Sequence, residues 1–330
     1  MAIQQNPGKH MNQETICILG GSGFVGTHLA HRLTRDGYRV RVLTRRPQRC
    51  RHLSVNPNIT LAEADVHDNT VLHRQFAGCT AVINLVGILN ESGKREAGFR
   101  RAHVELPQRV ADAAVTCSVG RLLHMSALNA DACERNSLYL KTKGEGEDRV
   151  HAAAEHGLSV TSFRPSVIFG PGDSFFNRFA GLLRLAGPVF PLACPNSRFA
   201  PVCVMDVAEA MCRSLDDATG GERLDLCGPA VYTLRELVEY TRDQLGLRCR
   251  IVGLGDTLSR LQARALGMLP GKPFSMDNYY SLQHDSVCSR NALPTLGINP
   301  APIAAVVPAY LAGRNSRGRY QSLRRQARRD

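Results

Sequence analysis

Residues Leu19–Gly26 read LGGSGFVG and follow at once on the apolar run Ile16-Cys17-Ile18. Beyond the glycines, Phe24, Val25, Leu29 and Leu33 recur at helical spacing, and Asp36-Gly37 stops the pattern. The loop therefore lies between a buried strand and an amphipathic helix. There, small residues let the backbone approach a pyrophosphate seated on the helix N-terminus. The run fits Gly20-x-x-Gly23-x-x-Gly26 and Gly21-x-Gly23-x-x-Gly26 equally, so its spacing leaves both open.

The surrounding chain predicts a doubly wound α/β fold. Short apolar runs at Tyr38–Leu43, Ile59–Ala62, Ala81–Val86 and Arg121–Met125 read as strands, with an amphipathic helix over Val104–Val115. Strands alternating with helices at these lengths imply a parallel, Rossmann-type sheet. From Phe176 the composition shifts to prolines and long apolar runs, the mark of a smaller, interleaved C-terminal lobe on the substrate side. The expected organisation is a disordered leader (1–14) and a nucleotide-binding unit (15–175, with 198–227 returning to it). The smaller lobe takes 176–197 and 228–312, and a basic tail takes 313–330. Helices are expected over Gly228–Leu245 and Thr257–Leu269. The second groups Leu258, Leu261, Ala265, Met268 and Leu269 on one side, with Arg260 and Arg264 on another. Its apolar side is expected to face the core, although such a helix can also lie on a membrane or a partner.

The second strand ends in Thr44-Arg45-Arg46. A free ribose 2′-hydroxyl calls for Asp or Glu there, whereas a 2′-phosphate calls for arginine. NADP(H) is therefore expected over NAD(H). Further on, Tyr139 and Lys143 stand four apart on one helical face, and Ser126 follows the Arg121–Met125 strand at its carboxyl end. Hydride transfer to a carbonyl needs a proton donor, a cation that lowers its pKa, and a hydroxyl that polarises the oxygen. Tyr139, Lys143 and Ser126 are the candidates for those three roles.

The composition, 43% hydrophobic and 21% charged, is that of a globular protein, and no apolar run is long enough to span a membrane. The N-terminus lacks the apolar region of a secretory signal, so a cytoplasmic location is expected. The 11 cysteines are scattered without C-x-x-C pairs and read as buried thiols in a reducing compartment. No histidine or cysteine cluster has metal-ligand spacing, and no metal is expected. Much of the net charge of +12 comes from arginine, and Gly313–Asp330 carries seven arginines against one acid. Such a segment seeks an anionic partner such as acidic lipid; without interleaved aromatics it does not read as a nucleic-acid binder.

Together these motifs resemble the extended short-chain dehydrogenase/reductase superfamily, the NAD-dependent epimerase/dehydratase family. The resemblance rests on the Gly20–Gly26 loop, Asp65, Asn84–Gly87, Ser126, Tyr139, Lys143 and the segment Arg164–Asp173. VINLVG (82–87), HMSALNA (124–130), YLKTKGEGE (139–147), RPSVIFGPGDSFFNRFA (164–180) and LGINPAPI (296–303) look like its complex I accessory-subunit branch. The resemblance implies that Gly20, Gly23 and Gly26 line the pyrophosphate, with Gly21, Ser22, Phe24 and Val25 also among the cofactor-binding residues. It also implies that Asp65 and Val66 meet the adenine and that Leu85, Val86 and Gly87 border the cofactor. Lys143 would hold the ribose beside Tyr139, and Pro165 and Val167 would flank the nicotinamide. Arg45 and Arg46 would take the 2′-phosphate. His103 stands where many members carry an asparagine that supports the catalytic helix. The branch implies an NADPH-binding accessory or assembly factor of respiratory complex I, or of a quinone-related process, peripheral on the cytoplasmic face of the inner membrane. The alternative is an active NADPH-dependent reductase or epimerase acting on a hydrophobic carbonyl.

Overall fold

The first strand, β1 (Thr15–Leu19), sends Ile16 and Ile18 to one face of a sheet and Cys17 and Leu19 to the other, all fully buried. That double burial is why the strand reads as a continuous apolar run rather than an alternating one. The computed structural model describes residues 14–90, 97–269 and 274–311. The expected leader up to residue 13 and the basic tail lie outside the described residues. After β1 come α1 (Phe24–Arg35), β2 (Arg39–Thr44), β3 (Ile59–Glu63), α2 (Asn69–Phe76) and β4 (Ala81–Asn84). A helical run follows, made of α3 (Ala97–Arg100), a π-turn (Arg101–Glu105) and α4 (Leu106–Thr116). Then come β5 (Arg121–Met125), α5 (Leu138–Ala152), β6 (Ser159–Pro165) and β7 (Ile168–Phe169).

The smaller lobe and the return to the sheet supply α6 (Phe176–Leu185), β8 (Val189–Leu192), β9 (Arg198–Phe199), β10 (Val202–Cys203), α7 (Val204–Arg213) and β11 (Arg223–Leu226). The remainder is β12 (Tyr232–Thr233), α8 (Leu234–Gln244), β13 (Arg250–Gly253), α9 (Asp256–Gly267), α10 (Met276–Ser281) and α11 (Ile303–Leu311).

Seven strands form one parallel sheet in the order β11-β6-β5-β4-β1-β2-β3. The order reverses between β1 and β4, which opens a crevice at the carboxyl ends of those strands, where open α/β sheets bind ligands. One face of the sheet packs under α1 and α7 through Leu29, Leu33, Val207 and Met211. The other packs under α2 and α4 through Leu72, Phe76, Leu106 and Val110. A third core, built on Phe169, Phe176, Leu237, Val238, Ile251 and Val307, belongs to the lobe. Between two lobe stretches, Leu293 and Ile298 dip back into the sheet core.

Four local expectations change. The apolar run to Val86 is strand only to Asn84: the Leu85 N–H still bonds the Leu19 carbonyl, but the Val86 N–H turns to the Asn84 side chain. The helix expected from Gly228 starts at Leu234, where Thr233 and Glu236 form a capping box. Not all cysteines are free thiols: Cys227 and Cys288, 61 residues apart, are disulfide-bonded. Asn291 anchors the Cys288 loop by bonding both the N–H and the carbonyl of Cys227. Lastly, α9 does not bury its apolar side. Ser259 and Ala263 face inward, while Leu258, Leu261, Met268 and Leu269 are 53%, 61%, 81% and 50% exposed.

Candidate cofactor and catalytic site

Gly20 ends β1 with φ +76°, a conformation that favours glycine. Its carbonyl accepts the Gly23 N–H at 3.0 Å, closing the loop that delivers the chain into α1. A Cβ on Gly26 would lie 2.4 Å from the Gly21 Cα and 2.5 Å from the Gly20 oxygen, so only glycine lets the helix ride this close on the loop. The helix is entered through Gly23, and no side chain caps its first N–H groups. An uncapped helix end of this shape suits an anionic pyrophosphate. Gly21 and Gly26 are buried, and Ser22, Phe24 and Val25 are half-buried at the mouth.

At the end of β2, Arg45 and Arg46 are exposed and form no ion pair among the described residues. Asp65, past β3, is exposed, and its Oδ1 accepts the His67 N–H at 3.0 Å. Val66 packs on the sheet core, and half-buried Leu85 and Val86 lead out of β4 to exposed Gly87. Pro165 is buried at the end of β6 and Val167 is half-buried beyond it. The fold thus brings the glycine loop and the β4 exit together. A Cβ on Gly20 would lie 3.1 Å from the Leu85 carbonyl carbon.

Tyr139 and Lys143 lie on α5, whose start is held by two caps. Ser137 accepts the Leu140 N–H, and Asp277 of α10 accepts the Leu138 N–H at 2.7 Å. The lobe therefore positions the helix that carries the tyrosine. Lys143 is buried and its Nζ donates to the Met125 carbonyl at 2.8 Å; burial pulls its pKa down to about 8, against the pull of Glu147. Burial, with the Asp277 carboxylate, pushes Tyr139 up to about 12. Desolvation and Asp277 act on the phenol in the direction opposite to a neighbouring ammonium, and burial disfavours that ammonium itself. The Tyr139 hydroxyl makes no hydrogen bond among the described residues.

Ser126 is bonded to the interior of the site. Its hydroxyl donates to Glu147 Oε2 at 2.6 Å, and Glu147 is fully buried and bonded to Arg164 and Arg223 at 2.9 Å each. A carboxylate is a stronger acceptor than a carbonyl oxygen, so this hydroxyl is committed to the interior. Glu147 was missed from the sequence, although it follows Lys143 by four residues on the same helical face.

His103 sits in the π-turn, packed so closely that a Cβ on Gly146 would lie 1.7 Å from its carbonyl oxygen. Its Nε2 accepts the Ile88 N–H at 3.0 Å, and its Nδ1 meets Thr142 Oγ1 at 3.0 Å. Since the Thr142 hydroxyl donates to the Leu138 carbonyl, Nδ1 carries the hydrogen and the ring is neutral. Burial and the neighbouring Lys143 hold its pKa down to about 2. His103 and Lys143 converge below Gly87, where a Cβ would lie 3.7 Å from Nε2 and 3.3 Å from Nζ.

Residues 16–227 match the NAD dependent epimerase/dehydratase family. The chain is similar to the mitochondrial NADH-ubiquinone oxidoreductase 40 kDa subunit of Neurospora crassa, 28% identical over 93% of this chain and 81% of that one. It is also similar to a ceramide reductase of Caulobacter vibrioides, 30% identical over 73% of this chain and 74% of that one. In fold it resembles DesIV, the dTDP-glucose 4,6-dehydratase of Streptomyces venezuelae solved with NAD bound. The TM-score is 0.71 at 21% identity, over 94% of this chain and 99% of that one. Glycine loop, sheet order and sequence agree: the chain belongs to the NAD dependent epimerase/dehydratase family and is related to the accessory subunits of complex I.

Proposed function

We propose that this chain is an NADPH-binding accessory or assembly factor of respiratory complex I or of a quinone-related membrane process. The observation that carries the reading is similarity to a complex I subunit over 93% of the chain, the lobe included. The site supports holding a coenzyme more than turning it over. The loop and α1 present uncapped N–H groups to a pyrophosphate, and Arg45 and Arg46, without an ion pair among the described residues, suit a 2′-phosphate, favouring NADP(H) over NAD(H). Lys143 lies where it can hold the ribose, with Pro165 and Val167 beside the nicotinamide and Asp65 and Val66 beside the adenine. Ser126, meanwhile, donates its hydroxyl to Glu147. The described residues include no helix long and apolar enough to cross a membrane. In this reading the chain is peripheral on the cytoplasmic face of the inner membrane, and its arginine-rich tail contacts anionic lipid.

A second reading, reduction of a hydrophobic carbonyl, is favoured by the Tyr139 hydroxyl, which has no hydrogen-bond partner among the described residues, and by the likeness to a ceramide reductase. Bound nicotinamide would supply the hydride. Tyr139 would give its proton to the carbonyl oxygen, and Lys143 would stabilise the phenolate left behind.

Fractionation of gently solubilised membranes tests the two together. The accessory reading expects the chain, carrying NADPH, to co-migrate with NADH:quinone oxidoreductase activity, and Tyr139→Phe to leave both association and bound nucleotide unchanged. A wholly soluble chain apart from that complex, reducing carbonyls in a Tyr139-dependent way, would replace it with the second reading.

A further inference from the structure

The helix α9 is inside out. A lobe helix of a globular protein turns its large apolar residues inward, yet here the inward side chains are Ser259 and Ala263, both buried. Ser259 completes the attachment: its hydroxyl donates to the Leu254 carbonyl and accepts the Cys194 N–H. Leu258 and Leu261 lie on the outer side of the helix, and Met268 and Leu269 continue the apolar stripe in the turn that closes it. Their exposures run from 50% to 81%. Gln262 bonds the Pro191 carbonyl, joining the helix to the outer face of the β8–β13 pair, where Val252 is also 39% exposed.

The charges beside this stripe are of one sign. Arg264 flanks it, and Arg250 stands two residues from Val252 on the same strand face. Both are exposed and free of ion pairs among the described residues. Arg260, one turn before Arg264 on the same flank, is held by Asp256 at 3.0 Å and by the Tyr279 hydroxyl at 3.0 Å. Asp256, the acid of the helix, is thereby neutralised. A stripe of leucine and methionine edged by arginine suits an interface that is apolar within and anionic at its rim.

We infer that the outer face of α9 is a docking surface for an anionic phospholipid bilayer, with the leucine–methionine stripe entering the headgroup boundary. Charge selects this occupant. The chain's own tail is ruled out as cover, because seven arginines against one acid would be repelled by a basic rim. A second copy would bring the same unpaired arginines face to face. The last described helix, α11, packs in the lobe core with α6, and the seven arginines that follow it in the sequence add to the attraction. The inference deepens the membrane-associated reading and rests on it.

Flotation of the full chain with vesicles tests this, with NADPH binding and thermal melting followed on the same samples. The wild type should float with phosphatidylcholine vesicles containing phosphatidylglycerol and stay behind with phosphatidylcholine alone. Leu261→Glu with Met268→Glu, both at exposed positions, should weaken vesicle binding about tenfold or more, with melting and NADPH binding unchanged. A chain ending at Leu311 should lose only part of the binding. Unchanged flotation of the double variant overturns the proposal. So does complete loss on removing the tail alone, or a solution dimer that the double variant abolishes. Because NADPH binding is read separately, failure here leaves the coenzyme-binding account standing.

Discussion

His103 shows how one side chain can be fixed by its partners. Its Nε2 lone pair is used by the Ile88 N–H and its Nδ1 hydrogen by Thr142, so protonation would cost the Ile88 contact. That contact ties the β4 exit to the helix beneath it, which makes His103 a positioning residue for the loop over Lys143. The folded pKa, about 2, lies below the ordinary value of 6.5. Below pH 6.5 the unfolded chain therefore binds a proton that the folded chain refuses, and stability falls with pH. His151, held down to about 4, acts in the same direction. In His103→Asn, the loss of unfolding free energy between pH 7 and 5 should shrink by ~1–2 kcal/mol. Urea denaturation at the two pH values measures it; an unchanged loss would show that His103 is not held neutral.

At the scale of elements, the decisive unit is β1, its glycine loop and α1. Its glycines differ in what they do: Gly20 supplies the left-handed turn, and Gly26 supplies contact between helix and loop. Gly26→Ala puts a methyl against backbone that cannot yield without opening the loop. It should cost ~1–3 kcal/mol in stability, as overpacking does, and weaken NADPH at least about tenfold. Titration calorimetry and thermal melting check both, and wild-type affinity would mean that the loop does not touch the coenzyme. This unit was legible in the sequence because its logic is local: strand, turn residues and helix follow within 21 residues. The spacing of Tyr139 and Lys143 was legible for the same reason. Glu147 and Asp277 were not, since Ser126 meets its carboxylate 21 residues away and Leu138 its cap 139 residues away. The periodicity of α9 was clear too. Periodicity shows that a helix has two faces, however, and not which one the rest of the chain will cover.

Across the whole molecule, the parallel sheet opens the proposed coenzyme crevice where its strand order reverses. Asp277 on α10 caps α5, while α9 packs against α10 and carries the exposed apolar stripe. The coenzyme site and the proposed lipid-facing surface are thus joined by one short helix. Long-range pairings of this kind, like the Cys227–Cys288 disulfide across 61 residues, depend on topology that no local pattern encodes. The proposed function begins with a dinucleotide in that crevice, its 2′-phosphate against Arg45 and Arg46. Calorimetric titration of NADPH and NADH into the wild type and into Arg45→Ala with Arg46→Ala is the most direct test. NADPH should bind the wild type about tenfold or more tighter than NADH, and the double variant should lose that preference while keeping its NADH affinity. NADH binding the wild type as tightly as NADPH, or neither binding, would contradict it.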